Sequence, residues 1–341
     1  MMKAAVVTQP GKLEVLEIAM PVMGPYDCLV KIDACAVCSG TDSHITYGSF
    51  PWRDAYPFVL GHESTGLILE CGSKVKNFAP GQRVTRPAGV LAGERVEGIG
   101  STWGGFAEYG LVRDTLAAAA DGMPPNGMLS SSRNPIPGNV GPVSAALSVN
   151  QREILSVVSQ FTLGSQSRVA VVGSGYNGLL FSLFCKHFGA GRVVMIGSAR
   201  LADRAIESFG ADEYVDYREP DAVSQALGLA AGEMTHVIDA VGSKGSLELS
   251  RRLLGAGTAF GCYGIDDITE TGDTRAAMAA GRRALDMGTR EVDFVNEWYA
   301  LWQQGIFNRL GMCDQVLPLA EIHRALEMVM KREAVKIVIE I

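Results

Sequence analysis

The chain has 341 residues, of which 47% are apolar and 20% charged, with a mean hydropathy of +0.14. That excludes an intrinsically disordered or fibrous polypeptide, and at roughly 150 residues per domain it predicts two domains. Thirty Lys and Arg against 37 Asp and Glu leave a net charge of −7, so no basic field attracts phosphate backbones or anionic lipid, and neither nucleic acid nor membrane is an expected partner.

The N-terminal stretch MMKAAVVTQPGKLEVLEI alternates in polarity and breaks at Pro10 and Gly11. It reads as two strands and not as the basic head and apolar core of a secretory signal. There is also no run of about 18 apolar residues, and the cytoplasm is the expected compartment. Up to about residue 115 the chain is a series of short β-like runs, CLVKIDACAV, STGLILECG, QRVTRPAGV and GGFAEYGLV, predicting an all-β or α+β module. Residues 116–144 accumulate Pro, Gly, Ser and Asn and read as a long surface connection before the helix SAALSVNQREILSVVSQF.

From about 165 to 265 apolar strands alternate with helices that end at Gly189, Gly210 and Gly255: RVAVVG, RVVMIG, HVIDAVG and TAFGCYG are the strands. This predicts a doubly wound α/β unit on a parallel sheet. Trp298, Tyr299 and Trp302 fall on one helix at spacings that suit packing, in the core or against another subunit. The tail VLPLAEIHRALEMVMKREAVKIVIEI reads as a helix and an isolated strand, whose expected partner is the N-terminal β module.

Gly173, Gly175 and Gly178 in VAVVGSGYNGLL follow an apolar strand and open a helix. A lone G-x-G-x-x-G is weak, but strand, helix and second strand together supply the context of a dinucleotide site. The glycines permit a tight turn, close approach of the pyrophosphate and close helix–strand packing, with the anion on the helix N-terminus. Tyr176 and Asn177 lie within the motif and count among the cofactor-binding candidates. At the end of the second strand the chain reads Gly197, Ser198, Ala199, Arg200, with no carboxylate to accept from a ribose 2′-hydroxyl. A hydroxyl and a guanidinium there favour NADP(H) over NAD(H), unless Arg200 is simply a solvated charge at a helix start. Tyr217, after the third strand, is placed on the adenine side.

The seven cysteines are odd in number and scattered, so reduced thiols are expected; Cys28, Cys71, His187, His236 and His323 read as core or surface residues. CAVCSGTDSH (35–44) and GHESTG (61–66) differ, because Cys38 with His62 offers the thiolate and imidazole that zinc prefers. On chemistry alone, a zinc site and a metal-free reading both stay open.

The ordered set C-S-G-T-D-S-H, G-H-E-S-T-G, G-Q-R-V, G-G-F-A-E-Y and G-S-G-Y-N-G resembles the zinc alcohol and polyol dehydrogenases of the medium-chain dehydrogenase/reductase family over nearly the whole chain. The resemblance implies a GroES-like catalytic domain from residues 1–145 and 290–341 and a Rossmann domain from 146–289, with zinc and nicotinamide in the cleft. It implies that Cys38 and His62 are zinc ligands and that Glu63 is the acid behind the metal. Thr41 would pass the substrate proton, His44 would relay it to solvent, and Asp42 would fix the ligand imidazole's tautomer. It also implies a homodimer or homotetramer joined at the sheet edge, with TAFGCYGI as the contacting segment.

Three departures accompany it. Two residues, Ser39 and Gly40, separate Cys38 from the Thr-Asp pair where the family has one, so either Cys38 ligates through a local bulge or the metal geometry changes. The family's third ligand position falls on Val149, and the nearest carboxylate one turn onward, Glu153, is the candidate third ligand. The four-cysteine lobe of a structural zinc is absent from RPAGVLAGERVEGIGSTWGG, so one catalytic zinc and no structural zinc is expected.

The expected reaction is hydride transfer between NADP(H) and an alcohol, polyol or corresponding carbonyl. Tyr47, Phe50, Trp52 and Arg53 are candidates for the outer substrate pocket, or for packing on the barrel. A zinc-free NADPH-dependent quinone or enone reductase of the same superfamily and a non-catalytic NADPH sensor are the alternatives.

Overall fold

The computed structural model describes residues 1–50, 56–101, 103–123, 135–280, 282–309 and 311–341, without the side chains of 308 and 309. Trp52 and Arg53 lie outside the described residues. The chain divides into two compact units, one of Met1–Asn150, Glu291–Gln304 and Gly311–Ile341, the other of Gln151–Arg290 and Gly305–Leu310.

The first unit opens with β1 (Met2–Gln9), β2 (Lys12–Ile18) and β3 (Asp27–Ala36), then α1 (Thr41–Tyr47), β4 (Phe58–Val59) and β5 (Glu63–Cys71). Short strands follow, β6 (Arg83–Thr85), β7 (Arg95–Val96), β8 (Ile99–Gly100) and β9 (Tyr109–Arg113), and then α2 (Thr115–Ala120), β10 (Pro135–Ile136) and α3 (Pro142–Val158), whose residues from Gln151 onward belong to the second unit. Among the described residues these strands form two sheets, ordered β2-β1-β4-β8-β7 and β10-β6-β5-β3, with β9 also on β3. The alternation of β3 explains its central place: Val30, Ile32 and Ala34 are buried while Leu29, Lys31 and Asp33 between them are only partly covered. Within the stretch read as connection, Thr115–Ala120 is helical, because Asp114 accepts from the Ala117 N–H at 3.0 Å and the alanine run favours a helix.

The second unit holds β11 (Arg168–Val172), α4 (Tyr176–His187), β12 (Arg192–Gly197), α5 (Ala202–Glu207), β13 (Glu213–Asp216), α6 (Ala222–Leu229), β14 (His236–Asp239), α7 (Lys244–Leu253), β15 (Ala259–Cys262) and α8 (Ile268–Ala279). Its strands pair in parallel in the order β13-β12-β11-β14-β15, a doubly wound sheet that reverses direction of growth at β11. Four of the five residues of β11 and all of β14 are buried, as strands covered by helices on both faces must be. Gly189 and Gly210 follow their helices with φ of 88° and 71°, whereas α7 stops at Leu253 with an extended residue after it and no left-handed cap at Gly255. The outer edge of β15 is taken by this chain's own 283–285 segment, through Phe260 N–H to the Arg283 carbonyl and Leu285 N–H to the Phe260 carbonyl.

The chain returns through α9 (Val295–Gln303) and α10 (Ile306–Arg309) to β16 (Gln315–Pro318), α11 (Ile322–Met330) and β17 (Ile337–Glu340). Trp298 on α9 is fully buried, and Tyr299 stacks on Trp302 with centroids 5.7 Å apart. β17 is antiparallel to β3, with Val338 opposite Ala36, so the C-terminal strand completes the sheet of the first unit. Among the described residues no helix is long and apolar enough to cross a membrane.

Candidate functional site

The first cluster forms where β3 ends and β5 begins. Cys38 lies in the turn after β3, and the one extra residue of Ser39–Gly40 is absorbed there: Gly40 caps α1, and Asp42 N–H reaches back to the Cys38 carbonyl at 3.3 Å. His62 and Glu63 stand at the start of β5, next to Gly61, whose φ is 95° and whose missing Cβ would sit 2.7 Å from the Phe106 backbone nitrogen. Only glycine allows the chain to turn into His62 that close to 104–106. Sγ of Cys38, a ring nitrogen of His62 and a carboxylate oxygen of Glu63 lie within 4.8 Å of one another.

Around these atoms the buried groups are ionic. Asp42 is 0% exposed; its Oδ2 accepts from the Cys38 N–H at 2.9 Å and its Oδ1 is 3.2 Å from His62 Nδ1. One carboxylate thus orients both the loop of Cys38 and the ring of His62. Glu63, also 0% exposed, faces His62 Nε2 at 3.8 Å and is paired at 2.5 Å with Lys336 Nζ. Burial opposes charge on His62, but the Asp42 carboxylate and Cys38 outweigh it and hold the imidazole's pKa well above its usual value. Burial likewise opposes charge on Lys336, and Glu63 and Cys38 overcome it. The cluster therefore attracts positive charge. Two buried carboxylates and a thiol against one ammonium, with soft sulfur, imidazole and oxygen donors converging, suit a borderline-soft divalent cation such as zinc.

Other residues frame the cluster. Arg86, at φ 55°, donates through Nη1 to the His62 carbonyl at 2.8 Å and through Nε and Nη2 to the Glu291 carboxylate at 3.0 and 2.9 Å, all buried. The Trp103 ring lies 5.3 Å from His62 and 6.5 Å from Phe50, giving the site an apolar wall. Thr41 opens α1, and His44, three residues on, has Nδ1 2.7 Å from Ser49 Oγ. Tyr47 is 54% exposed. Glu153 is carried by α3 in the second unit.

Lys336, Arg86, Glu291 and Trp103 were not predicted. Lys336 had a legible signal, a lone charge in the otherwise apolar run AVKIVI. The contacts of Arg86 span 205 residues of sequence to Glu291 and had none.

The second cluster lies at the carboxyl ends of β11, β12 and β13. Gly178 packs against the turn before it so closely that a Cβ would lie 1.9 Å from the Gly173 carbonyl oxygen. Gly175 caps α4 without a side chain, leaving the helix N-terminus bare. The Tyr176 side chain is buried, its hydroxyl accepting from Gln151 Nε2 at 3.1 Å, and Asn177 is half-buried. Gly197 ends β12; Ser198 donates its N–H to Ser174 Oγ at 3.2 Å and accepts at its carbonyl from the Tyr214 hydroxyl at 2.7 Å. Arg200 is exposed on the following turn, and Tyr217, 43% exposed, donates its N–H to the Gly197 carbonyl and carries the Arg218 guanidinium 5.3 Å above its ring. Across the switch point, Arg275 donates to the carbonyls of Gly242, Gly264 and Asp266 and so ties together the loops after β14 and β15, another contact not legible beforehand.

A GroES-like barrel carrying Cys, His and Glu, joined to a Rossmann sheet with a bare glycine turn, defines a zinc-binding nicotinamide oxidoreductase. The alcohol dehydrogenase GroES-like domain family matches residues 24–121, and the zinc-binding dehydrogenase family matches residues 178–304. The chain is 30% identical over 255 residues to alcohol dehydrogenase notN of Aspergillus sp., covering 68% of each. It is 28% identical over 255 residues to the NADP-dependent isopropanol dehydrogenase of Thermoanaerobacter brockii, covering 68% of this chain and 66% of that one. A Sinorhizobium meliloti 1021 crystal structure described as a zinc-binding dehydrogenase bound to NADP superposes with a TM-score of 0.77 at 27% identity, over 100% of this chain and 99% of that one. The chain belongs to the zinc-dependent medium-chain dehydrogenase/reductase family, and within it to the alcohol and polyol dehydrogenases.

Proposed function

We propose that the protein interconverts a small alcohol or polyol and its carbonyl counterpart with NADP(H), at a single zinc held by Cys38 and His62 with Glu63 at or directly behind the metal. The observation that carries this reading is the convergence of thiol, imidazole and carboxylate within 4.8 Å over the buried Asp42. Zinc, when bound, supplies a Lewis acid that lowers the pKa of an alcohol oxygen, and the nicotinamide supplies the hydride acceptor or donor.

The chain's own groups do the rest. Asp42 accepts the proton of His62 Nδ1, which leaves Nε2 free to ligate. Lys336 pairs with Glu63 and offsets its charge inside the buried site. Arg86 holds the His62 carbonyl and fixes the backbone on which the imidazole turns. The Thr41 hydroxyl takes the substrate proton, and His44, half-exposed beside Ser49, returns it to water. Trp103 lies against His62 and is itself met edge-on by Phe50, and this apolar surface suits the hydrocarbon part of a small alcohol.

On the coenzyme side, Ser198 and Arg200 take the 2′-phosphate, Tyr217 covers the adenine, and the motif glycines Gly173, Gly175 and Gly178 with the backbone of Tyr176 and Asn177 take the pyrophosphate. Support comes from the absence of a carboxylate at 197–200 and from the NADP named for the two relatives above. Glu153 as a further ligand rests on sequence register alone. The test is zinc content by plasma emission together with a spectrophotometric panel of alcohols, polyols and aldehydes with each coenzyme. About one zinc per chain and turnover preferring NADP(H) are expected. Full activity in metal-free protein would mean a zinc-free reductase, and coenzyme binding without turnover a sensor; either sinks the proposal.

A further inference from the structure

We propose that Cys28 and Cys71 form a thiol pair that a low-molecular-weight disulfide closes into a cross-strand bond, stapling the end of the β3/β5 ladder remote from the metal cluster. The two residues face each other in register on antiparallel strands, and their sulfurs are 3.3 Å apart. The Gly72 N–H donates to the Asp27 carbonyl at 2.8 Å, one residue outside the pair. That makes Cys28 and Cys71 a non-hydrogen-bonded pair, where opposed Cα atoms stand about 4.5 Å apart. Pairs of this kind fall inside the range of about 4.4–6.8 Å between Cα atoms that a disulfide spans. The other five cysteines have no such cross-strand sulfur partner among the described contacts.

The pair also has a defined order of reaction. Cys28 is 0% exposed in an apolar cluster with Val30, Ile68, Val84 and Val112, and burial together with the neighbouring Cys71 pushes its thiol pKa up. Cys71, at the end of β5, is the more exposed residue of the pair, and the proposal makes it the first to meet a small oxidant. Cys71 attacks one sulfur of the small disulfide, forming a mixed disulfide and releasing one thiol, which takes the Cys71 proton. Cys28 then attacks the Cys71 sulfur; the protein S–S bond forms, the mixed bond breaks, and the second small thiol leaves with the Cys28 proton. Two protein thiols are oxidised and one small disulfide is reduced to two thiols. The closed loop contains Cys38, His62 and Glu63, so the bond restricts the unfolded chain across the whole metal-binding segment.

The test uses zinc-loaded protein incubated with oxidised glutathione, then alkylated, digested and mapped by mass spectrometry. We expect a linked peptide joining Cys28 to Cys71, a denatured-state thiol count falling by two from the seven of the sequence, and a Tm higher by about 5 °C, all reversed by dithiothreitol. Cys28→Val is expected to hold glutathione on Cys71 as a trapped mixed disulfide, and Cys71→Val to show neither adduct nor crosslink at Cys28. Recovery of the two cysteines on separate alkylated peptides, or a wild-type mixed disulfide that never closes, overturns the pair. A crosslink that leaves Tm unchanged or lowered overturns the staple.

Discussion

The metal cluster and the nucleotide edge solve opposite problems. The metal cluster draws its side chains from 38–42, 62–63, 86, 291 and 336, and every charge in it is buried against a partner from another segment. The nucleotide edge is made by neighbouring parallel strands and their first turns, with backbone groups presented at the carboxyl ends and its long side chains, Arg200 and Tyr217, exposed. A cation site in a low-dielectric interior must have each charge offset and oriented by something rigid, so it recruits widely. A pyrophosphate site needs N–H groups and absent side chains, which one strand-turn-helix supplies locally. Loss of a metal-cluster residue should therefore disturb several partners, whereas loss at the nucleotide edge should change one recognition contact.

Two experiments test that division, and a third tests a buried residue outside both regions. The largest effect is expected for Cys38→Ser. It removes the thiolate, so zinc content should fall to background and kcat/KM by about 10³-fold or more, the scale of several kcal/mol of lost charge stabilisation. NADPH affinity, measured by fluorescence titration, should stay within about twofold, because the nucleotide edge shares no residue with the cluster. A Cys38→Ser protein that keeps its zinc would remove the thiol from the ligand set.

Arg200→Asp is next. On the proposed coenzyme reading, replacing this guanidinium with a carboxylate should weaken NADP(H) by about 10- to 100-fold while NAD(H) binding and zinc content hold. Unchanged coenzyme preference would mean that Arg200 is only a solvated charge.

The smallest effect belongs to His236, at the opening of β14. Arg283 Nη2 donates to His236 Nε2 at 2.7 Å, so the ring is neutral with its proton on Nδ1, 2.8 Å from Thr235 Oγ1. Burial first, and the Arg283 charge second, lower its pKa from the usual 6.5 to about 4. Because the folded value lies below the unfolded one, the proton binds the unfolded chain more readily. The stabilisation is complete above pH ~6.5 and is lost as pH falls towards ~4, on the order of 1 kcal/mol by pH ~5.5. Denaturant titrations at pH ~7 and ~5.5 should show that loss in wild type and a smaller one in His236→Gln; equal losses would exclude His236 as its source.

Much of the fold could be read from the order of the residues. Apolar strands with helices between them gave the parallel sheet, and the tail run KIVIEI could only be a strand seeking a partner, found on β3. The helix Thr115–Ala120 was missed because a Pro/Gly/Ser-rich composition over the longer stretch masked a short alanine run capped by Asp114. The approach of Asp42 to His62 was implied by the family resemblance of two segments 20 residues apart. Lys336 and the Arg86–Glu291 pair came from no motif.

The sequence by itself determined the periodicities, the glycine turn, the absence of a carboxylate at 197–200 and the thiol and imidazole at 38 and 62, because these depend on nearest neighbours along the chain. Only the tertiary structure decided which buried charges meet. An ion pair across 205 residues of sequence leaves no local pattern, and the strength of such a pair is set by the burial that folding imposes on both partners.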